Sequence, residues 1–203
     1  HQLWKRSSSS HQLRIQIFSG HVFMSGRPAR VQKLVRKLLL RKGIEIREEG
    51  YVQSVADGQI TLENGRIYSA DIIFPAIGVR PSEIFSRSGL DVGADGGLKV
   101  NAFLQSTSQP NIFGGGDCIY FADNPLDKVG VYAVRQNQVL FDNLMAALEG
   151  NPLQKFTPGG DYLLIYNLGD GEGVLSKWSI TFSGRLAFII KDYIDKKFIK
   201  AYQ

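Results

Sequence analysis

The stretch QPNIFGGGDCIYFADNPLDKVGVYAVRQNQ, residues 109–138, determines the fold that we predict for this chain. Its apolar start, residues 111–113, is predicted to be a strand fragment, and three glycines and Asp117 follow it. Glycine lets the backbone approach a ligand closely or adopt positive φ without strain. A helix is predicted to begin near Gly130, with free N–H groups that would face an electron-rich ligand. The pattern therefore favours a ligand site in which Asp117 accepts hydrogen bonds from sugar or ribitol hydroxyls.

The segment TSQPNIFGGGDC resembles the T-x-x-P-x-I-F-A-x-G-D signature of FAD-dependent pyridine nucleotide-disulfide oxidoreductases, including type II NADH dehydrogenases and sulfide:quinone reductases. The match covers Thr107, Pro110, Ile112, Phe113, Gly116 and Asp117, and it departs at Gly114, where alanine is usual. The resemblance implies that Gly116 and Asp117 hold the ribityl-pyrophosphate region of FAD. It also implies that the next helix start faces the isoalloxazine ring, through Gly130, Val131, Tyr132 and Ala133. The alternative is a glycine-rich turn with a solvated aspartate.

A second motif, AIGVRP at residues 76–81, resembles the A-T-G-x-R-P loop of the same superfamily, with Ile77 in place of threonine. In that family the loop returns from the NAD-binding domain to the FAD domain. The resemblance implies that Gly78 allows close approach to a dinucleotide and that Arg80 lies near the interface of the two domains. Taken alone, the loop is equally typical of an ordinary Gly/Pro turn. The two motifs together are more specific than either.

Periodicity predicts the elements that precede these motifs. Residues 13–18 alternate as a strand, and residues 27–42 place apolar side chains at helical spacing before Gly43. A short strand at 44–46 is followed by an antiparallel meander at 51–55, 59–62 and 66–68, whose Asp57-Gly58 and Asn64-Gly65 pairs predict type I′ turns. Residues 71–74 are predicted to be a buried strand.

The second half is predicted to contain a helix over residues 131–148, strands at 162–166 and 173–182, and a last helix over 185–202. The residues expected on the buried side of the first helix are Val134, Val139, Leu140, Leu144 and Ala147. The apolar face expected on the last helix is formed by Leu186, Ile189, Ile190, Tyr193, Ile194 and Phe198. We expect that face to dock on the domain, and an interfacial membrane helix is the alternative.

Composition excludes several classes of protein. The 203 residues, 43% hydrophobic and 21% charged, suit an ordinary globular chain, and the net charge of +5 is too diffuse to indicate a nucleic-acid partner. The single cysteine, Cys118, excludes an internal disulfide or dithiol centre. No metal-binding spacing is present. We expect a cytoplasmic, homo-oligomeric protein, with peripheral attachment to the inner membrane face as the alternative.

The predicted fold class is α/β: a truncated FAD/NAD(P)-binding fold of two dinucleotide domains with a C-terminal β-strand plus helix segment. We assign residues 1–75 to a partial NAD(P)-binding domain, 76–152 to the C-terminal part of the FAD-binding domain, and 153–203 to a C-terminal β-hairpin and helix. Residues 1–6 would end a helix and residues 7–10 would form a loop. No G-x-G-x-x-G lies between a strand and a helix. We therefore expect the C-terminal half of an enzyme, inactive alone and binding neither FAD nor NAD(P)H tightly.

The resemblance implies an oxidoreductase that passes hydride from NAD(P)H through FAD to a small-molecule acceptor such as a quinone. Gln136 and Gln138 are predicted to line the ring or the acceptor site, and a structural role is equally consistent with the pattern. We assign no catalytic acid, base or nucleophile. The strand at 13–18 ends without the acid that usually holds the NAD ribose, so the preference for NAD over NADP is open. His21 is expected to be a surface residue, with phosphate binding as the alternative.

The C-terminal segments YLLIYNLGDGEGVLSKWSITFSG and KDYIDKKF resemble one branch of the superfamily, which is associated with or fused to selenide, water dikinase. This resemblance implies a selenide, water dikinase domain as a partner. The competing class is a non-catalytic module that keeps the fold and binds a partner in selenium metabolism. A peripheral membrane quinone reductase is a third hypothesis.

Overall fold

The computed structural model describes residues 13–160, 162–177 and 180–201. It divides the chain into two compact units, one formed by residues 1–74 with 161–203 and the other by Pro75–Gly160. The unit boundary after Phe74 lies close to the expected end of the NAD(P)-binding part, whereas the expected C-terminal segment is grouped with the first unit. The elements expected at residues 1–10 and Trp178 lie outside the described residues.

The first unit contains a parallel strand pair joined by a helix. Strand β1 (Ile15–Phe18) is connected through helix α1 (Ala29–Arg41) to strand β2 (Ile44–Arg47). The strands pair in parallel, with Ile15 opposite Ile44. Parallel strands require such a crossover. The predicted helix is confirmed, since its apolar stripe supplies the buried residues Val31, Val35, Leu38 and Leu39.

The predicted meander is confirmed as strands β3 (Val52–Ala56), β4 (Gln59–Leu62) and β5 (Ile67–Ser69). Asp57 and Gly58 both adopt positive φ, as a type I′ turn requires. The type I′ prediction at Asn64-Gly65 is wrong, because Gly65 has positive φ and Asn64 does not. The N–H of Gly65 donates to the Leu62 carbonyl and the N–H of Leu62 to the Arg66 carbonyl. The loop therefore has three residues and closes on a glycine bulge.

The prediction of a buried strand at residues 71–74 is wrong. These residues form no strand, and the side chains of Ile72 and Phe74 are exposed. An apolar run becomes a buried strand where neighbouring layers cover both of its faces. The described residues supply no such cover at this position.

The first unit also includes a C-terminal antiparallel sheet of β8 (Leu164–Asn167), β9 (Gly173–Lys177) and β10 (Ile180–Gly184), in the order β10-β9-β8. Residues 173–182 were predicted to be one strand. They belong to two, because Lys177 pairs with Ile180 across a hairpin. Val174 of β9 is fully buried in the same core as α1.

Helix α4 (Arg185–Ala201) follows β10 and confirms the predicted last helix, but the predicted docking face is wrong. Its large apolar side chains Leu186, Ile189 and Tyr193 are exposed, and Ala187 is fully buried. A Cβ atom on Gly173 of β9 would lie 3.3 Å from the backbone nitrogen of Phe188. The helix therefore approaches the sheet closely through small residues, which leaves the large apolar stripe outside.

The second unit is built on a parallel pair, β6 (Leu98–Val100) and β7 (Ile119–Phe121), with Leu98 opposite Ile119. The unit also contains the short helix α2 (Ile84–Arg87) and the long helix α3 (Gly130–Glu149). Its buried core is formed by Leu98, Val100, Leu104, Ile119, Phe121 and Phe156. The strand predicted at residues 111–113 is reduced to one isolated bridge between Gln105 and Phe113. Helix α3 ends at Glu149, and Gly150 caps it in the left-handed conformation.

We expect the acid stability of the first unit to depend on Glu45 of β2. A hydrogen bond from Arg14 at 2.8 Å is the main cause that lowers the pKa of Glu45 from 4.5 to about 2. A carboxyl group whose pKa is depressed by folding stabilises the fold above its unfolded pKa, and this contribution is lost as the pH falls through the folded value. In the variant Glu45→Gln, the free energy of unfolding should therefore fall less between pH 4.5 and 2 than in the native protein. Urea unfolding followed by circular dichroism measures this difference.

The control is Glu83→Gln. Glu83 stands just before the short helix α2 of the second unit and forms an exposed ion pair with Arg87. Such a pair contributes little to stability. An acid unfolding curve that Glu45→Gln leaves unchanged, relative to this control, would contradict the assignment.

Candidate functional site

A pocket lies within the second unit, between the glycine-rich turn and the start of α3. It is lined by Gly116, Asp117, Ile119, Phe121, Leu126, Asp127, Lys128, Tyr132, Ala133 and Gln136. The fold therefore brings together five residues proposed from the sequence: Gly116, Asp117, Tyr132, Ala133 and Gln136.

The glycines allow the turn to lie against the helix. Gly116 has a φ of 72°, in the left-handed region, and opens a short 3-10 turn (Gly116–Cys118). A Cβ atom on Gly115 would lie 3.1 Å from Cδ2 of Leu140, and one on Gly116 would lie 3.6 Å from the Cβ of Ala133. A side chain at Gly115 would press on α3, and one at Gly116 would hold the backbone in a strained conformation.

A hydrogen bond joins this turn to the helix. Gln136 is 2% exposed, and its side-chain Oε1 accepts the N–H of Gly116 at 2.5 Å. Gln138 does not line the pocket: it is exposed, and its amide donates to Asp142 one turn further along α3. The two glutamines therefore differ in environment, which their spacing in the sequence did not indicate.

Asp117 is one of the residues that line the pocket. It is half-buried at the pocket, and no donor from the described part of the chain reaches its oxygens. The N-cap residue of α3, Val129, makes no side-chain cap hydrogen bond, and the helix opens with the N–H groups of Gly130 and Val131. A carboxylate acceptor and a helix N-terminus thus flank one pocket.

Lys128 fixes the loop that precedes α3. Its Nζ lies 2.8 Å from the Asp95 carboxylate and also donates to the Ile119 carbonyl of β7. Burial favours a raised pKa for Asp95, but hydrogen bonds from Lys128 and from the N–H of Gly97 outweigh it and hold that pKa below its usual value. The loop is thereby anchored beside the pocket by a charge-assisted contact.

The predicted buried side of α3 is correct for Val139 and Leu140, which pack against the core, and wrong for the other three residues. Val134, Leu144 and Ala147 are exposed, and the fully or nearly fully buried side chains are instead Gln136 and Asn143. The amide of Asn143 donates to the carbonyls of Phe103 and Gln154, at 2.8 and 2.9 Å, and its Oδ1 accepts the N–H of Gln154 at 2.7 Å. These bonds to loop backbone bury Asn143 on the same helix face as Gln136, Val139 and Leu140.

Arg135 joins the first turns of α3 to the end of the second unit. Its guanidinium donates to the carbonyls of Pro158 and Gly160 and lies 5.7 Å from the ring centroid of Tyr132. This residue, Lys128 and Asn143 were missed by sequence reasoning, because their partners lie far away in the chain.

Two predicted residues lie elsewhere. Gly78 and Arg80 are exposed and do not line the pocket, and Gly78 adopts a φ of 88° with open space where a Cβ would stand. Their proposed role at a dinucleotide therefore has no contact in the pocket to support it.

The structure brings an acid to the end of β1 in the first unit, where the sequence has none. Nε2 of His21 lies 2.7 Å from Oε1 of Glu63, a residue from the loop between β4 and β5. Glu63 also accepts the N–H of Tyr51, whose ring packs edge-on against His21. The carboxylate comes from more than forty residues along the chain, so no local motif could have indicated it.

The glycine turn and Asp117 precede the parallel strand β7, and the start of the following helix lies beside them, an arrangement that suits a dinucleotide-binding α/β protein. The model of the pyridine nucleotide-disulphide oxidoreductase family matches residues 15–143, and the chain belongs to this family. Members of the family are FAD-dependent enzymes that use NAD(P)H. The chain therefore has the α/β FAD/NAD(P)-binding fold that the sequence predicted.

The chain matches only part of the length of each relative. The chain is 28% identical over 156 residues to Ferroptosis suppressor protein 1 of Xenopus laevis, covering 71% of this chain and 41% of the relative. It is 31% identical over 122 residues to an NADH oxidase of Methanocaldococcus jannaschii, covering 55% and 27%. The crystal structure of reduced Bacillus anthracis CoADR-RHD superposes with a TM-score of 0.61 at 22% identity, covering 80% of this chain and 30% of that one. The chain thus spans less than half the length of these relatives.

We expect Asp117 to serve a ligand and Asn143 to serve the fold. Asp117→Asn removes no contact among the described residues, so it should change the free energy of unfolding by about 0.5 kcal/mol or less. Asn143→Leu leaves buried backbone groups at Phe103 and Gln154 without partners and should lower it by roughly 3 kcal/mol. Urea unfolding measures both, and equal losses would contradict this division.

Proposed function

We propose that the whole protein is an FAD-dependent oxidoreductase that takes hydride from NAD(P)H and passes electrons to a small-molecule acceptor. One observation carries this proposal: the Gly116–Asp117 turn is held against the start of α3 at a pocket. Membership of a family of FAD-dependent enzymes supports it. Because the chain spans less than half of its curated relatives, the activity is proposed for the whole protein.

The pocket fits the ribityl side of a flavin. The Asp117 carboxylate is free to accept hydrogen bonds from hydroxyl groups, and Gly116 presents no side chain toward the ligand. The N–H groups of Gly130 and Val131 and the positive end of the α3 dipole favour an electron-rich ring edge, with Tyr132 and Ala133 beside it. FAD, when bound, supplies the hydride and electron transfer itself.

We propose that the first unit is part of the NAD(P)-binding domain and the second is the C-terminal part of the FAD-binding domain. In this assignment Gly78 and Arg80 lie on the connection between the two domains. Glu63 supports binding of the adenosine ribose of NAD, because a carboxylate at the end of this strand is the usual hydroxyl acceptor. His21 beside it would contact the 2′-phosphate of NADP, so the test compares both nucleotides.

The acceptor is proposed to be a quinone, which follows from the resemblance to type II NADH dehydrogenases and sulfide:quinone reductases. The exposed stripe of α4 favours peripheral contact with a membrane. Leu186, Ile189 and Tyr193 lie along it, and Lys197 and Lys200 extend the same side of the helix. None of the described helices has the length and hydropathy needed to cross a bilayer.

A partner-binding module without catalysis is the second candidate. Its specific support is a set of exposed large apolar side chains in the second unit, Ile77, Phe141 and Leu148. A selenide, water dikinase domain as the partner, and assembly as a homo-oligomer, rest on sequence resemblance alone. The vacant Asp117 carboxylate favours the oxidoreductase over this candidate.

The test is an anaerobic titration of the purified whole protein with NADH and, separately, NADPH, followed by flavin absorbance. We expect one nucleotide to bleach a bound flavin. Gly116→Ala should lower the flavin content several-fold, since it disturbs the turn at the pocket. The control is Gly89→Ala, because Gly89 has the same φ of 72° and lies away from the pocket, so its backbone strain is equal.

A whole protein without flavin would overturn the proposed oxidoreductase and leave the partner-binding module. Equal flavin loss in both glycine variants would show that strain alone, and not the pocket, controls binding.

A further inference from the structure

We propose that Gln136 is a positioning residue, which sets the Gly116–Asp117 turn relative to the start of α3 and thereby determines how tightly a flavin is held. The inference rests on the proposed function. It differs from the role that the sequence suggested for Gln136, which was direct contact with the ring or the acceptor.

The hydrogen bond between Gln136 and Gly116 is buried and joins distant parts of the chain. Gln136 is 2% exposed, although a glutamine side chain is usually found at the surface. Its Oε1 accepts the backbone N–H of Gly116 across twenty residues of chain. Gly116 has left-handed φ, so its N–H belongs to a turn and not to a strand or helix ladder. Without Gln136 this half-buried N–H would lose the partner that the fold provides.

The bond links two elements that are proposed to bind the same ligand. Asp117 follows directly on Gly116, and Gln136 lies in the second turn of α3, whose start lies beside the pocket. Cβ atoms on Gly115 and Gly116 would meet Leu140 and Ala133, so the helix also presents apolar, non-directional surface to the turn. The Gln136 bond therefore supplies the directional restraint that fixes the carboxylate against the helix N-terminus.

Three substitutions separate the hydrogen bond accepted by the Gln136 side chain from packing and from stability. Gln136→Met keeps the length and volume of the side chain but removes the oxygen. Gln136→Glu keeps an oxygen that can accept the N–H of Gly116. Asn143→Leu removes buried hydrogen bonds from the same helix at a position outside the pocket, and so controls for lost stability alone.

The experiment measures two quantities in the whole protein. The first is hydrogen exchange of the peptide containing Gly116 after removal of flavin. The second is the FAD dissociation constant from flavin fluorescence. Gln136→Met should speed exchange of this peptide and weaken FAD binding about tenfold, as expected for one lost buried hydrogen bond. Gln136→Glu should retain slow exchange and near-native affinity, and Asn143→Leu should lower the thermal midpoint with FAD affinity unchanged.

Each outcome decides the inference. Native affinity and slow exchange in Gln136→Met would overturn it, as would loss of affinity in Gln136→Glu. A loss of FAD affinity in Asn143→Leu equal to that in Gln136→Met would show that stability alone is responsible, and would also overturn it. If the native whole protein binds no FAD, the proposed function itself is overturned. This result differs from failure of the inference about Gln136, in which the native protein binds FAD.

Discussion

Two buried amides of α3 organise the second unit. Gln136 and Asn143 are seven residues apart and lie on one face of the helix, where they bind the backbone of the turn at Gly116 and of the loops at Phe103 and Gln154. Buried polar groups are stable in a protein when they are hydrogen-bonded, and each lost partner is costly. The Gln136 contact therefore sets the turn against the helix start beside Asp117, whereas the Asn143 contacts hold the middle of α3 on its loops.

The same constraint explains where sequence reasoning failed. Apolar periodicity predicted α1 and its buried stripe correctly, because α1 packs on an apolar core within the same unit. In α3 the helix was correct and its buried face only in part: Val139 and Leu140 pack on the core, but side-chain hydrogen bonds to distant backbone bury Gln136 and Asn143 beside them. In α4 the small residue Ala187 faces the sheet and the large apolar residues face outward. Periodicity identifies a helix more securely than it identifies what covers each face.

The site was predictable to the extent that its residues are local. Gly116, Asp117, Tyr132, Ala133 and Gln136 fall within 21 consecutive residues, and a motif of that length can be recognised from sequence. Lys128 contacts Asp95 and Arg135 contacts Pro158, each more than twenty residues away in the chain. Glu63 contacts His21 from the loop between β4 and β5. Such contacts follow from tertiary packing, for which no single segment carries a signal. The exposed positions of Gly78 and Arg80 likewise could not be derived from their motif.

The most direct test is the structure of the whole protein at a resolution that shows its bound flavin. The account predicts that the ribityl hydroxyls lie within hydrogen-bond distance of Asp117 and that the ring edge faces the N–H groups at Gly130 and Val131. A flavin bound away from this pocket, or with Asp117 turned from it, would contradict the central claim.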